Sequence, residues 1–182
     1  METYIALLRG INVSGQKKIK MTDLKVMFEE LGYTDVITYI QSGNVLFTTK
    51  NGSKEQLQHQ IQLQILETFG FDVAVLVFTP TQLQSIYDAI PYTESSIDDF
   101  DPKKLYFTFL MHSPSDADRT ELLTLDTSKE LFDIRDMVIY IYATNGYGKT
   151  KLSNTFFEKK LKITATTRNL RTLQKLLALS QS

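Results

Sequence analysis

Val36-Ile37-Thr38-Tyr39-Ile40 and Val45-Leu46-Phe47-Thr48-Thr49, separated by Gln41-Ser42-Gly43-Asn44, are two β-branched and aromatic runs joined by turn residues. That pattern is an antiparallel hairpin. What lies on either side decides the fold. Upstream, Tyr4 to Leu8 reads as a strand, a loop carries Gly10 and Gly15, and Leu24, Met27, Phe28 and Leu31 fall at helical spacing before the stop signal Gly32. Downstream, Ser53-Lys54-Glu55-Gln56 has capping-box spacing, with Leu57, Ile61, Ile65 and Phe69 repeating every four residues behind it. Val73 to Phe78 then reads as a buried strand, and Thr81-Gln82-Leu83-Gln84 as the cap of a third helix carrying Leu83, Ile86, Tyr87 and Ile90.

From Pro91 to Pro102 the periodicity fails, and Thr93 to Asp99 reads as an exposed linker. Beyond it the order recurs. Leu105, Phe107, Phe109 and Met111 alternate, Leu122, Leu123 and Leu125 mark a helix, and Leu131–Arg135 with Val138–Tyr142 form a second hairpin. Leu152, Phe156, Phe157 and Leu161 mark another helix, Ile163 to Thr167 a strand, and Leu170, Leu173, Leu176 and Leu177 a final amphipathic helix. The expected class is therefore α+β, with two ferredoxin-like βαββαβ repeats, each with an added C-terminal helix. The repeats take residues 1–90 and 103–182, with 91–102 between them. Element order carries this inference, because side-by-side identity is slight.

Composition sets the bounds. The chain has 182 residues, 42% of them hydrophobic and 23% charged, which is enough for one or two compact cores. Cys 0 excludes a disulfide framework, an iron–sulfur cluster and a thiol nucleophile. With His59 and His112 the only histidines, no zinc or other metal site is expected, and no motif calls for a cofactor. There is no export signal and no apolar run near the length of a membrane span, so a soluble, cytoplasmic protein without membrane contact is expected. The net charge of -1 is unevenly spread. From Lys149 to Lys175 eight cations face Glu158 alone, whereas Asp88 to Asp136 holds twelve acids and five bases. Such a basic segment suits an anionic partner, though a solvated helix face produces the same asymmetry.

In a split βαβ unit the first two strands run parallel on either side of the third, so their C-terminal ends emerge at one edge. The loop after the first strand carries Arg9 and Asn12, and the turn after the second carries Gln41, Ser42 and Asn44. These groups are thus expected neighbours, with Arg supplying a fork for phosphate or carboxylate and the amides neutral donors and acceptors. In the second half, Asn145-Gly146-Tyr147-Gly148-Lys149-Thr150 and Thr167-Arg168-Asn169 are expected at a comparable edge, beside two helix N-termini. Gly148-Lys149-Thr150 imitates the end of a nucleotide-hydrolysing loop, but Ala143 stands where its first glycine belongs and a hairpin strand feeds it. Ser42 has no evident histidine base. Asn169 also fits a helix cap, and the two turns fit ordinary turn chemistry, so convergence alone favours function.

Leu7-Leu8-Arg9-Gly10-Ile11-Asn12-Val13 with Gly15, Tyr39-Ile40-Gln41-Ser42-Gly43-Asn44-Val45, and Thr167-Arg168-Asn169 with Thr172 and Lys175 together resemble the bacterial domain of unknown function 1697 family. The resemblance spans essentially the whole chain. It implies a cytoplasmic α+β protein with ferredoxin-like repeats and brings no activity. Ser14 stands where that family usually has glycine, and Leu170 where an aromatic is common. The expectation is a binding protein for a phosphate-bearing or anionic ligand, nucleotide or nucleic acid, using Arg9, Asn12, Gln41, Ser42, Asn44, Lys149, Arg168 and Asn169. An enzyme that stabilises a developing anion with Arg and amide groups is the alternative from another class, and a protein interaction module is the third.

Overall fold

The computed structural model describes residues 1–50, 52–125, 127 and 130–181. Its first half runs β1 (Glu2–Leu8), α1 (Met21–Glu30), β2 (Thr34–Tyr39), β3 (Asn44–Thr49), α2 (Lys54–Phe69), β4 (Val75–Phe78) and α3 (Pro80–Asp88). The second repeats that order as β5 (Leu105–Leu110), α4 (Asp116–Leu123), β6 (Leu131–Arg135), β7 (Val138–Tyr142), α5 (Asn154–Leu161), β8 (Ala165–Asn169) and α6 (Leu170–Ser180). Two four-stranded antiparallel sheets result, ordered β2-β3-β1-β4 and β6-β7-β5-β8. The fold is a duplicated α+β arrangement of βαββαβ halves. Grouped by contact, Met1–Ser85 with Lys175–Ser182 form one compact unit, and Ile86–Gln174 the other.

Alternation along β1 explains the first core. Tyr4, Ala6 and Leu8 join Val45, Phe47, Val75 and Val77 beneath Leu24, Met27 and Phe28 of α1 and Leu57, Ile61 and Ile65 of α2. Ile5 and Leu7 are fully buried as well, so both faces of β1 are covered. That burial removes the exposed sheet a base-stacking platform of the sheet-face kind needs. Phe47 is the hub, with ring centroids 4.6 Å from Tyr33, 5.4 Å from Phe28 and 5.8 Å from Tyr4. Burial pushes the Tyr33 phenol up to about 12, and its hydroxyl donates to Gln60 Oε1 at 3.1 Å. In the second unit Leu110, Ile139, Ile141 and Ala165 pack under Leu152, Phe157 and Leu161.

Local chemistry sets the helix ends. Ser53 and Gln56 form the expected capping box on α2. The third helix begins earlier than its motif suggests, because Thr79 and Gln82 exchange the capping bonds and Pro80 takes the first turn, where a missing N–H costs nothing. β8 ends at Asn169 rather than Thr167, in register with Tyr106. Helix α5 closes on Lys162, a lysine at φ 55, whose N–H donates to Glu158 O at 2.8 Å. An L-residue there costs about 1–2 kcal/mol, and glycine returns part of that gain as chain entropy. Lys162→Gly should therefore raise stability by about 0.5–1 kcal/mol in urea unfolding, and an unchanged midpoint would refute the account.

The segment expected as a linker is exposed from Thr93 to Ser96 and at Asp98 and Asp99, but its ends are anchored. Phe100 stacks on Tyr142 at 5.7 Å, and the Tyr142 hydroxyl accepts from Asp101 N at 2.9 Å. Asp101 itself caps the short turn Pro102–Lys104 by accepting from Lys103 N at 2.9 Å.

Candidate functional site

The parallel course of β1 and β2 around β3 brings the loop after β1 against the turn after β2. Leu8 N donates to Gly43 O at 2.8 Å, and Asn12 Nδ2 donates to Gln41 O at 3.0 Å. The loop is unusually rich in left-handed backbone, with Gly10, Asn12, Ser14, Gly15 and Lys17 all at positive φ. Ser14 and Gly15 are the centre of a tight turn closed by Gln16 N to Val13 O at 2.9 Å, a geometry that asks for positive φ at both central positions.

Within this edge the amides do different work. Asn12 is half-buried and its amide is fully engaged: Oδ1 accepts from Ile19 N at 2.9 Å, and Nδ2 donates to Ile19 O at 2.9 Å as well as to Gln41. Asn44 is fully buried at the head of β3, where Nδ2 donates to Tyr39 O at 2.9 Å and Ser42 Oγ at 3.1 Å. Both residues bind this edge together. Arg9 is half-buried and its N–H donates to Ala74 O at 2.9 Å. Gln41 is exposed, and Ser42 partly so.

Beside the loop and turn lies a groove of about 640 Å³, within the range of small-molecule sites. Asn12, Gln41, Lys18, Lys20, Met21, Thr22 and Asp23 line it, with Ile19 and Phe69 contributing apolar surface. The N-terminus of α1 opens here. Lys20 occupies its cap position and no side chain caps it, so the first N–H groups of the helix lack a side-chain acceptor beside the groove. Asp23 in the first turn, accepting from Thr22 Oγ1 at 3.2 Å, supplies the local negative charge. No motif in the sequence singles out Lys18 and Lys20. The usable signal was a helix start lacking Ser, Thr, Asp or Asn at its cap.

In the second unit Lys149 is exposed and Asn169 caps α6, its Oδ1 accepting from Thr172 N at 2.9 Å. Arg168 lies elsewhere. Because β8 continues through Asn169, Arg168 is a strand residue facing opposite to Thr167 and Asn169. It is 6% exposed, and Nη1 donates to Thr166 Oγ1 at 2.7 Å and to Thr167 O at 2.9 Å. Burial pushes its pKa down to about 10, which still leaves a cation at neutral pH. On the other face Thr167 Oγ1 donates to Asn154 Oδ1 at 3.0 Å and pairs with Thr108 Oγ1 at 2.8 Å. Ser113, Asp136 and His112 cluster at a strand end, but Ser113 Oγ donates directly to Asp136 while His112 Nδ1 lies 3.3 Å from the Ser113 carbonyl. That order of contacts gives the hydroxyl no histidine base.

Among the described residues no group of three His, Asp or Glu converges to hold a metal ion, and no helix is long and apolar enough to cross a membrane. A family model described as "Protein of unknown function (DUF1697)" matches residues 1–140. No curated protein matches the sequence. Among solved structures, the fold is similar to that of the conserved bacterial protein SP0830 from Streptococcus pneumoniae, with a TM-score of 0.76 and 23% identity over 98% of each chain.

Proposed function

The chain belongs to the DUF1697 family of proteins of unknown function, and on that footing we propose that it binds a small phosphate-bearing ligand in the groove beside the β1 loop. The observation that carries this reading is that Lys18, Lys20, the uncapped N-terminus of α1 and the exposed Gln41 line one groove. Free N–H groups and the helix dipole favour an anion by about 0.3–1 kcal/mol, too little alone for useful affinity. The two ammonium groups supply the larger share, and Gln41 offers orientation. Ile19, Met21 and Phe69 suit an apolar or ring-bearing part of the same ligand. Arg9 and Ser42 flank this edge, whereas Asn12 and Asn44 maintain its shape.

Native mass spectrometry of the purified protein, followed by amide-shift titration with nucleoside monophosphates and pyrophosphate, tests the proposal. Shifts should concentrate at Lys18 to Asp23 and at Gln41. Lys18→Ala with Lys20→Ala should weaken binding at least tenfold, about 1.4 kcal/mol. Asp23→Asn, which removes the competing carboxylate, should strengthen it severalfold. No co-purified phosphate compound and no shift at these amides would overturn the reading.

A further inference from the structure

Exposed lysines of the second unit run from the segment before α5 to its C-terminal cap. Thr155 and Lys159 are exposed and four apart on one face of α5, while the exposed Lys149 and Lys151 precede the helix and the exposed Lys162 is its left-handed C-cap. At 1.5 Å per residue α5 is about 12 Å long, with exposed lysines before its start and at its end. Lys160, adjacent to Lys159 in sequence, is paired with Glu121 at 3.1 Å. Glu158, the only acid on the helix, is turned to the sheet, where Oε1 accepts from Ala165 N at 2.9 Å. Among the described residues no ion pair involves Lys149, Lys151, Lys159 or Lys162.

At the N-terminal end of this run stands an aromatic ring held in place. Tyr147 stacks on Tyr106 with centroids 4.5 Å apart and planes at 27°, and its hydroxyl accepts from Asn154 N at 3.0 Å. The ring is thus fixed where α5 begins, with part of its surface in solvent. A fixed ring beside spaced lysines matches the two requirements of a flexible polyanion carrying bases: stacking surface and phosphate contacts. We infer that the second unit binds single-stranded nucleic acid beside α5, with Tyr147 stacking a base and Lys149, Lys151, Lys159 and Lys162 contacting phosphates. This inference stands apart from the groove of the first unit.

Fluorescence anisotropy of the full chain with a short labelled oligouridylate provides the test. Neutralising three or four phosphates predicts that affinity falls roughly 20- to 50-fold between about 50 and about 200 mM salt. Lys151→Glu with Lys159→Glu, both exposed and clear of the left-handed cap at Lys162, should abolish most binding and flatten the salt dependence. Tyr147→Phe should bind like the parent, whereas Tyr147→Leu should lose about tenfold toward the oligonucleotide and nothing toward inorganic polyphosphate. Lys18→Ala with Lys20→Ala should leave oligonucleotide affinity unchanged, which separates this site from the groove. The inference is overturned by absence of binding at low salt, by unaltered affinity in the double glutamate variant, or by equal losses of oligonucleotide and polyphosphate binding in Tyr147→Leu.

Discussion

Gly43→Ala should destabilise the first unit by about 2–5 kcal/mol, the sum of two independent penalties. The first is conformational: Gly43 sits at φ +78, where an L-residue costs about 1–2 kcal/mol. The second is steric. A Cβ at this position would lie 2.8 Å from Ile11 Cδ1 and 2.8 Å from Leu8 Cβ. The isoleucine terminus can yield by changing rotamer, but Leu8 Cβ is fixed to a strand whose N–H bonds Gly43 itself, so the backbone must shift. Overpacking of that kind costs about 1–3 kcal/mol. Gly10→Ala is the control, because Gly10 is also left-handed at φ +66 yet has nothing within 4 Å of the added carbon. Its variant should show only the conformational penalty. At roughly 2–4 °C per kcal/mol, the Gly43 variant should melt about 4–20 °C lower and clearly below the Gly10 variant. Equal melting points for the two would remove the steric contact from the account.

These two glycines show why the first edge is legible in the sequence. Turn residues between β-branched runs fix a hairpin locally, and the order of strands and helices around it then fixes which loop ends share an edge. The neighbourhood of Arg9–Asn12 and Gln41–Asn44 follows from those two steps. The division of labour inside that neighbourhood does not. Whether an amide faces a ligand or a backbone group depends on which N–H groups the loop leaves without partners, and the Ile19 N–H that claims Asn12 is unpaired only because the loop folds back through several left-handed residues. Arg168 illustrates a different limit. Side chains alternate along a strand, so with β8 running two residues beyond Thr167, Arg168 lies on a buried strand face and not at the helix-opening edge where Thr167-Arg168-Asn169 was expected. Lys18 and Lys20 were visible as charge, but their relation to a groove required knowing that Phe69 and Gln41 come alongside.

Asn12→Ala should destabilise the protein by about 2–4 kcal/mol, which separates a structural staple from a ligand contact. Three hydrogen bonds of 2.9 to 3.0 Å disappear, each contributing about 1 kcal/mol net, and the Ile19 N–H loses its acceptor. Alanine must also hold φ 56, which asparagine tolerates better. Asn12→Gly relieves the backbone but not the lost bonds, so it should recover only part of the stability. Asn12→Asp retains the acceptor for Ile19 N while turning a carboxylate toward two carbonyl oxygens, and should be no better than alanine. A residue that served only a ligand would leave the melting temperature within about 2 °C of the parent, since exposed loop substitutions usually stay within about 0.5 kcal/mol. Hydrogen exchange gives the local readout: the Ile19 amide should lose protection in Asn12→Ala while the amides of β3 keep theirs. Ligand affinity should fall as well, because Asn12 joins the lysine-bearing loop to the Gln41 turn and so holds the lining of the groove in place. Full recovery of that affinity at low temperature, where the loop re-forms, would assign Asn12 to the frame of the site; a loss that persists in the folded variant would make it a direct contact.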